Sequence, residues 1–150
     1  MPTMTPEERQ EFLALPHTAV LTFTLSDGRT LGVPVWVTWT GEVFRFQSPG
    51  TSAKSAAMRR DGRASLCLHE DTAAAVKYVT AEGPVSEIDF DHDRDIAEPA
   101  ARYLGDERGA AFAQVFEDMD TSAFATFELR PEHWWSRDYA KSPVAEALLG

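Results

Sequence analysis

The chain has 150 residues, of which 43% are hydrophobic and 11% aromatic, so it is long and apolar enough to form one folded domain over residues 1–150. Its formal net charge of −10 argues against nucleic acid or anionic membranes as main partners, and the single cysteine, Cys67, excludes an internal disulfide bond. The N-terminal residues lack the apolar core of a signal peptide and no apolar run approaches transmembrane length, so we expect a cytoplasmic protein.

A short helix is predicted over residues 6–14, because Thr5 can cap it and Pro6 occupies its first position. Segments of alternating apolar and polar residues, separated by glycine-containing turns, then predict an antiparallel meander. Apolar residues at helical spacing predict two further helices, over residues 90–104 and 107–118. The predicted strands cover residues 18–25, 30–39, 42–48, 63–69, 76–83 and 123–129, with 84–88 as a continuing edge strand and 131–135 as irregular or edge structure.

Antiparallel sheets of this size commonly close on themselves, because closure removes the exposed edges of the sheet. We therefore expect a mainly β (α+β) fold, a six- to seven-stranded antiparallel β-barrel with short flanking helices. Residues 1–16 form its N-terminal helical region, and residues 136–150 form a C-terminal tail.

The segment from Ser48 to Arg63 combines the features of an anion site. A strand ends at Pro49-Gly50, Thr51 or Ser52 caps the helix that follows, and Lys54 lies in the first turn of that helix. A hydroxyl cap, free N–H groups at a helix N-terminus and a lysine together favour a bound phosphate. The same pattern is typical of an ordinary capped strand-to-helix turn, so this segment alone leaves both interpretations open.

A proline interrupts the second strand, whose odd positions from Leu31 to Trp39 form a continuous apolar face. Because proline has no N–H to donate to a strand ladder, we expect Pro34 on a sheet edge or at a break in pairing. A barrel opened along a seam at this point would leave backbone donors and acceptors free for the edge of a planar heterocycle. A plain edge strand is the alternative.

Several segments between residues 17 and 135 occur in a recognisable order and spacing. They are Ala19 to Phe23 with Asp27-Gly28-Arg29, Val33 to Val37 with Gly41 to Phe44, Thr51 to Lys54 with Met58 to Arg63, Tyr78 to Gly83, and Phe127 to Pro131 with Trp134-Trp135. Together they resemble the split-barrel flavin-binding superfamily, which includes pyridoxamine-phosphate oxidases and deazaflavin (F420)-dependent reductases. Two positions depart from that pattern: Ala57, where members often have Asn, and Gly62, where they often have Pro.

The resemblance implies a dimeric split barrel, a homodimer with F420, or FMN as the alternative, in a groove between the subunits. It places the cofactor phosphate near Lys54 and the ring against the backbone of residues 33–36, with Lys77 and Tyr78 contributing from the neighbouring chain. F420 is favoured because the arginines at positions 59, 60 and 63 continue a basic track that suits its anionic tail, although a helix C-terminus favours cations in any case. The implied cofactor-binding residues are Val33, Pro34, Val35, Trp36, Ser48, Thr51, Ser52, Lys54, Arg59, Arg60, Lys77 and Tyr78.

The activity that the resemblance implies is hydride transfer between the bound cofactor and a small electron-poor organic substrate, with the protein orienting the ring. No catalytic side chain is assigned, because the sequence lacks the motifs of hydrolases, zinc proteases and P-loop proteins. Candidate pocket walls, for which core or dimer packing is the alternative, are Trp36, Trp39, Trp134 and Trp135.

The alternative function is a non-catalytic protein of the same fold that binds or carries a flavin, F420 or a tetrapyrrole such as haem or biliverdin. Haem would need an axial ligand, and the four histidines are scattered without the spacing of metal ligands. The acidic segment from Asp89 departs from a calcium loop, since Arg94 replaces the invariant glycine and Ala100 the final glutamate. We therefore expect no metal site and assign this segment to an acidic helix start.

Overall fold

The computed structural model of the protein describes residues 3–145 and 147. Four α-helices lie in this part of the chain: α1 (Pro6–Leu13), α2 (Ala53–Asp61), α3 (Glu98–Leu104), which follows a π-helical turn (Asp93–Ala97), and α4 (Asp106–Val115). The strands are β1 (Thr18–Thr24), β2 (Thr30–Val35), β3 (Thr38–Trp39), β4 (Phe44–Pro49), β5 (Arg63–Asp71), β6 (Val76–Ile88), β7 (Phe124–Leu129) and β8 (His133–Asp138). None of the described helices is long and apolar enough to cross a membrane.

The strands form one antiparallel sheet in the order β2-β1-β5-β6-β7-β4-β3, with β8 paired to β6. The two ends of this path, β2 and β3, follow each other in the chain and are separated only by Trp36 and Val37. The curled sheet is therefore open along a seam between β2 and β3. This geometry confirms the expected antiparallel split barrel. The strand count is higher than expected, because the predicted second strand divides at the seam and residues after Pro131 add β8.

Pro34 lies in β2, which pairs with β1 alone among the described strands. The missing N–H of proline explains this edge position, as expected from the sequence. The predicted apolar face of the segment is interior only in part: Val37 is buried and Val33 and Val35 pack against the core, whereas Leu31 is 42% exposed.

The inward-facing residues of the strands form a single core that is closed at one end by α1. Phe12 and Leu13 of α1 are buried in it. The Arg9 guanidinium lies 4.0 Å from the centroid of the Trp134 ring, a cation–π contact. Helix α1 therefore belongs to the same core as the sheet.

Gly83 marks the point where β6 changes partners from β8 to β7. A Cβ atom at this position would lie 2.0 Å from the carbonyl oxygen of Arg130, so the close approach of the two backbones requires glycine. After Pro131 the chain forms β8, which runs to Asp138 and so includes the first residues of the segment expected as a tail. Of that segment, residues 146 and 148–150 lie outside the described residues.

Candidate functional site

A cleft of about 430 Å³ opens at the seam of the barrel. Its walls are seam residues between Pro34 and Thr38, several residues of β4, Lys54 in the first turn of α2, and residues of the helical segment between Arg94 and Phe112. The cleft therefore joins the two features that the sequence singled out, the proline-interrupted strand and the start of the basic helix.

A network of three serine hydroxyl groups, two of them buried, lies at the start of α2. Ser52 caps the helix, since its Oγ accepts the N–H of Ser55 at 3.2 Å. Ser48 Oγ lies 2.9 Å from Ser52 Oγ and 3.0 Å from Ser55 Oγ. Because Ser48 is only 1% exposed, its hydroxyl fixes the cap from inside and is not presented to the cleft.

The N-terminal end of α2 keeps polar groups that are free to bind an anion. The backbone N–H groups of Ala53 and Lys54 have no hydrogen-bond partner within the described residues. Lys54 lines the cleft, its ammonium makes no ion pair with the described part of the chain, and burial lowers its pKa. Thr51 is exposed beside this turn. Two backbone donors and one partly desolvated lysine are the donor set of a phosphate site.

The predicted basic track along α2 is occupied by carboxylates and lies outside the cleft lining. Arg59 donates to both carboxylate oxygens of Glu87, at 2.7 and 2.8 Å, and to the carbonyl of Gly50 at 2.8 Å. Arg60 pairs with the neighbouring Asp61. The third arginine, at position 63, pairs with Glu82 of β6 and with Glu132, which lies just before β8. These arginines therefore belong to surface ion pairs at and beyond the last turn of α2.

A cluster of three aromatic rings lies at the seam. The Trp36 ring lies between the Tyr103 ring, at 5.3 Å and 8° from parallel, and the Phe112 ring, at 5.2 Å. The Tyr103 hydroxyl accepts the N–H of Val37 at 3.3 Å and lies 2.9 Å from the carbonyl oxygen of His17. Burial raises the pKa of Tyr103, so the hydroxyl stays protonated and keeps these bonds at neutral pH.

Two arginines that the sequence analysis did not assign to the site also line the cleft. Arg45 comes from β4, where it alternates with buried Phe44 and Phe46. Arg94 comes from the π-helical turn, within the segment assigned to an acidic helix start. The alternation of β4 is a signal that could have placed Arg45 off the core, whereas nothing near Arg94 in the sequence indicates that its turn folds back over β4.

Asp95 anchors the π-helical turn against the sheet. Its side chain is 1% exposed and accepts hydrogen bonds from Arg94, from the Thr126 hydroxyl at 2.8 Å and from the N–H of Asp91 at 2.8 Å. Burial alone would raise the pKa of Asp95, but these hydrogen bonds outweigh it and lower the pKa below its ordinary value. The carboxylate therefore stays charged and holds Arg94 in place.

The other predicted residues lie away from this cleft within the same chain. Lys77 and Tyr78 alternate in β6, so they lie on opposite faces of the sheet. The Lys77 ammonium lies 5.9 Å from the centroid of the Phe12 ring, beside α1. Tyr78 lies on the outer face, in register with His69 and Arg137.

The four tryptophans divide between the site, the core and the surface. Trp36 lines the cleft. Trp39 and Trp134 pack against the core, where their ring centroids are 5.7 Å apart. Trp135 is 55% exposed on β8. One of the four candidate pocket walls is therefore in the cleft of this chain.

The two departures from the family pattern have structural explanations that do not involve the cleft. Ala57 is 1% exposed and belongs to the core. Gly62 ends α2 with φ +66°, and its N–H donates to the carbonyl of Met58 at 2.9 Å. Proline, whose φ is fixed near −65° and which has no N–H, is incompatible with this helix exit.

The histidines and acidic residues do not assemble a metal site in the described part of the chain. None of the four histidines lines the cleft. The His17 ring stacks on Phe12 with centroids 3.8 Å apart, and His92 Nε2 lies 2.9 Å from the carbonyl of Ala113. The cleft therefore offers no histidine as an axial ligand for haem.

Comparison with known proteins identifies the fold. Residues 5–138 match the family model described as pyridoxamine 5'-phosphate oxidase, whereas no curated protein matches the sequence. A crystal structure of a conserved hypothetical protein from Mycobacterium tuberculosis is 22% identical, with a TM-score of 0.74 over 91% of this chain and 86% of that one.

Two further solved structures share this fold. An F420 reductase is 19% identical, with a TM-score of 0.70 over 87% of this chain and 98% of that one. A pyridoxamine 5'-phosphate oxidase-related, FMN-binding protein from Nostoc punctiforme is 17% identical, with a TM-score of 0.64 over 95% of this chain and 89% of that one. Because the family model spans most of the sequence, the chain belongs to the pyridoxamine 5'-phosphate oxidase family.

Proposed function

We propose that this protein is an oxidoreductase that binds F420, or alternatively FMN, in the seam cleft and catalyses hydride transfer with a small electron-poor organic substrate. One observation carries the proposal: the cleft joins the open edge of β2 at Pro34 to the start of α2, where two N–H groups have no partner among the described residues and a lysine is partly buried. The open strand edge can face a planar heterocycle, and the start of α2 can hold the phosphate on the side chain of such a ring.

The donor set at α2 fits the phosphate group that both cofactors carry. Lys54 supplies a charge that has no protein partner in the described residues, and the N–H groups of Ala53 and Lys54 supply two hydrogen bonds. The serine network holds these donors in place before any ligand arrives, which lowers the entropy lost on binding. Lys54 is therefore the side chain on which affinity depends most.

The bound flavin or deazaflavin supplies the hydride chemistry, and the protein supplies position and environment. Residues 33–36, at the end of β2 and just beyond it, present a backbone edge without a strand partner among the described strands. Trp36, Tyr103 and Phe112 form an aromatic wall of the same cleft, against which an apolar part of a ligand can pack. In this proposal no side chain acts as a nucleophile or a metal ligand.

The choice between F420 and FMN does not rest on Arg59, Arg60 and Arg63, because these arginines lie outside the lining of the cleft. The similarity to an F420 reductase, over nearly the whole of both chains, supports F420 as the first candidate. The similarity to an FMN-binding member supports FMN as the alternative.

We also propose that the active form is a homodimer, assembled through the outer face of the sheet. A row of uncharged residues crosses five strands on this face, and we call it the outer row: Pro34, Val20, Cys67, Thr80 and Trp135, paired in register. Pro34 belongs to the outer row and also lines the cleft. A second copy bound to this face would therefore lie beside the cleft. It would also lie close to Tyr78, which is on the same face.

Light scattering coupled to size exclusion tests the assembly. The wild-type protein is expected to elute with the mass of two chains. Trp135→Glu places a charge at one end of the outer row and is expected to shift the measured mass toward that of one chain. A wild-type protein with the mass of a single chain at micromolar concentration contradicts the proposed assembly.

The activity is tested with reduced F420 and reduced FMN, each mixed with purified protein and a panel of quinones and nitroaromatic compounds under anaerobic conditions. Turnover above the protein-free rate supports the oxidoreductase. Saturable binding of either ring without turnover on any compound supports the non-catalytic carrier instead.

A further inference from the structure

The cleft wall carries the opposite charge balance from the whole chain. The sequence has 24 acidic residues against 14 lysines and arginines. In contrast, the charged side chains that line the cleft, within the described residues, are Arg45, Lys54, Arg94 and Asp95. With Glu128, the ion-pair partner of Arg45, included, three cations and two carboxylates give this region a formal charge of +1, opposite in sign to the net charge of the whole chain.

Arg45 and Arg94 are both held by carboxylates along one edge only. Arg45 Nε and Nη2 donate to Glu128 Oε2 at 3.1 and 2.8 Å. Arg94 Nε and Nη2 donate to the two carboxylate oxygens of Asp95 at 2.7 and 2.8 Å. In each arginine, Nη1 has no hydrogen-bond partner among the described residues. Each guanidinium therefore keeps two N–H donors on a group whose plane is already fixed.

The carboxylates that pair with these arginines are themselves held in place by the fold. Arg45 and Glu128 are directly opposite in the β4–β7 pairing, and each side chain is 23% exposed. Asp95 is held by the hydroxyl of Thr126, which is 0% exposed in β7. A ligand that binds these guanidinium groups therefore does not have to order them first.

The position of Arg45 separates it from the phosphate end of the cleft. Arg45, Gln47 and Pro49 alternate along β4 and all line the cleft. At about 3.3 Å per residue, Arg45 and Pro49 are roughly 13 Å apart along the strand, and α2 starts shortly after Pro49. Arg45 is paired in register with Thr38, at the seam. An anion at Arg45 would therefore lie at the ring end of the cleft, where a substrate must approach.

We propose that Arg45 and Arg94 form a carboxylate-binding subsite that selects substrates bearing an anionic group. The assignment to substrate rests on the proposed function, because it takes the seam as the place where the ring is bound. Lys54 and the start of α2 serve the cofactor phosphate, and the two arginines serve the substrate.

The first test uses a pair of probes that differ in one group, 4-nitrobenzoate and nitrobenzene, titrated by calorimetry into the purified full-length protein without cofactor. A hydrogen-bonded carboxylate–guanidinium contact is expected to make 4-nitrobenzoate bind roughly tenfold tighter or more. Arg45→Met is expected to remove this preference and leave nitrobenzene unchanged. Equal affinity of the wild-type protein for the two probes overturns the proposal.

A matched control and a conservative variant distinguish a specific loss of binding from misfolding of the variant. Arg29→Met removes an arginine that also pairs with a carboxylate, that of Asp27, but lies outside the cleft lining, so the preference should persist. Arg94→Lys is used because Arg94→Met would leave the buried Asp95 without its charge partner. Arg94→Lys is expected to weaken only 4-nitrobenzoate binding while melting near the wild-type temperature. Unchanged 4-nitrobenzoate binding in both cleft variants contradicts the subsite.

Cofactor titrations separate this proposal from the function on which it rests. FMN and F420 are expected to bind Arg45→Met as they bind the wild-type protein. Selective loss of F420 affinity would assign the two arginines to the cofactor tail and overturn the substrate assignment. If the wild-type protein bound neither cofactor but still preferred 4-nitrobenzoate, the proposed function would fail and the anion subsite would stand.

Discussion

Replacing Lys54 by methionine separates ligand binding from folding. The ammonium of Lys54 has no ion-pair partner within the described residues, and burial lowers its pKa, so the charge is unfavourable to the folded protein without a ligand. A hydrogen bond to a charged phosphate contributes about 1.5–3 kcal/mol, which corresponds to a factor of about 10 to 150 in affinity. Lys54→Met is therefore expected to raise the Kd of FMN and F420 by such a factor.

The same substitution is expected to leave the free energy of unfolding unchanged or to increase it, because methionine fills the space without a desolvated charge. Fluorescence titration measures the affinity, and urea unfolding of the ligand-free protein measures the stability. Lys141→Met is the matched control: Lys141 pairs with Glu8 beside α1, so its loss should lower stability slightly and leave the affinity unchanged.

The two outcomes together decide whether Lys54 has a binding role. Wild-type affinity in Lys54→Met would show that the start of α2 does not hold the phosphate. A marked loss of stability would show that the side chain belongs to the fold instead. Lys54→Arg, which keeps the charge, is expected to retain most of the affinity.

Three further predictions concern the frame around the cleft. Gly83→Ala is expected to cost about 2 kcal/mol or more in urea unfolding, because the added Cβ would meet the carbonyl of Arg130 at 2.0 Å; a neutral result would show that the crossing relaxes freely. Ser52→Ala removes the cap of α2 and is expected to cost about 1 kcal/mol and to weaken FMN binding, and a change in neither contradicts the role of the cap. The folded-state pKa of Asp95 lies below its ordinary value of 3.8, so its stabilising contribution is present above pH 4 and is lost as the pH falls through the lowered pKa. In acid titrations monitored by fluorescence, the stability of Asp95→Asn should therefore depend less on pH than that of the wild-type protein. An unchanged pH profile refutes this assignment.

The edge strand and the helix start could be predicted from the sequence because each depends on local chemistry. The missing N–H of Pro34 constrains pairing whatever surrounds it, and Ser52 lies where a hydroxyl can cap the first turn of α2. The division of the second strand could not be predicted, because the apolar alternation continues through Trp36 and Val37. Tertiary contacts with Tyr103, 66 residues from Val37, hold that break.

The arginine track shows why charge along a sequence does not predict charge in space. Arg59 follows Lys54 by five residues, but its partner Glu87 comes 28 residues later in β6. Conversely, Arg45 and Arg94 are far apart in sequence, and only the packing of the π-helical turn against β4 and β7 brings them to one cleft. Lys54 could therefore be placed beside the cleft from its position at a helix start, whereas Arg45 and Arg94, which distant segments bring together, could not.

The most direct test of the account is equilibrium titration of the purified wild-type protein with F420 and with FMN, followed by ligand fluorescence. We predict saturable binding with one cofactor per chain, with F420 bound at least as tightly as FMN, and competition of each cofactor by the other. Failure of both cofactors to bind at concentrations well above the protein concentration would contradict the central claim that the seam cleft is a flavin or deazaflavin site.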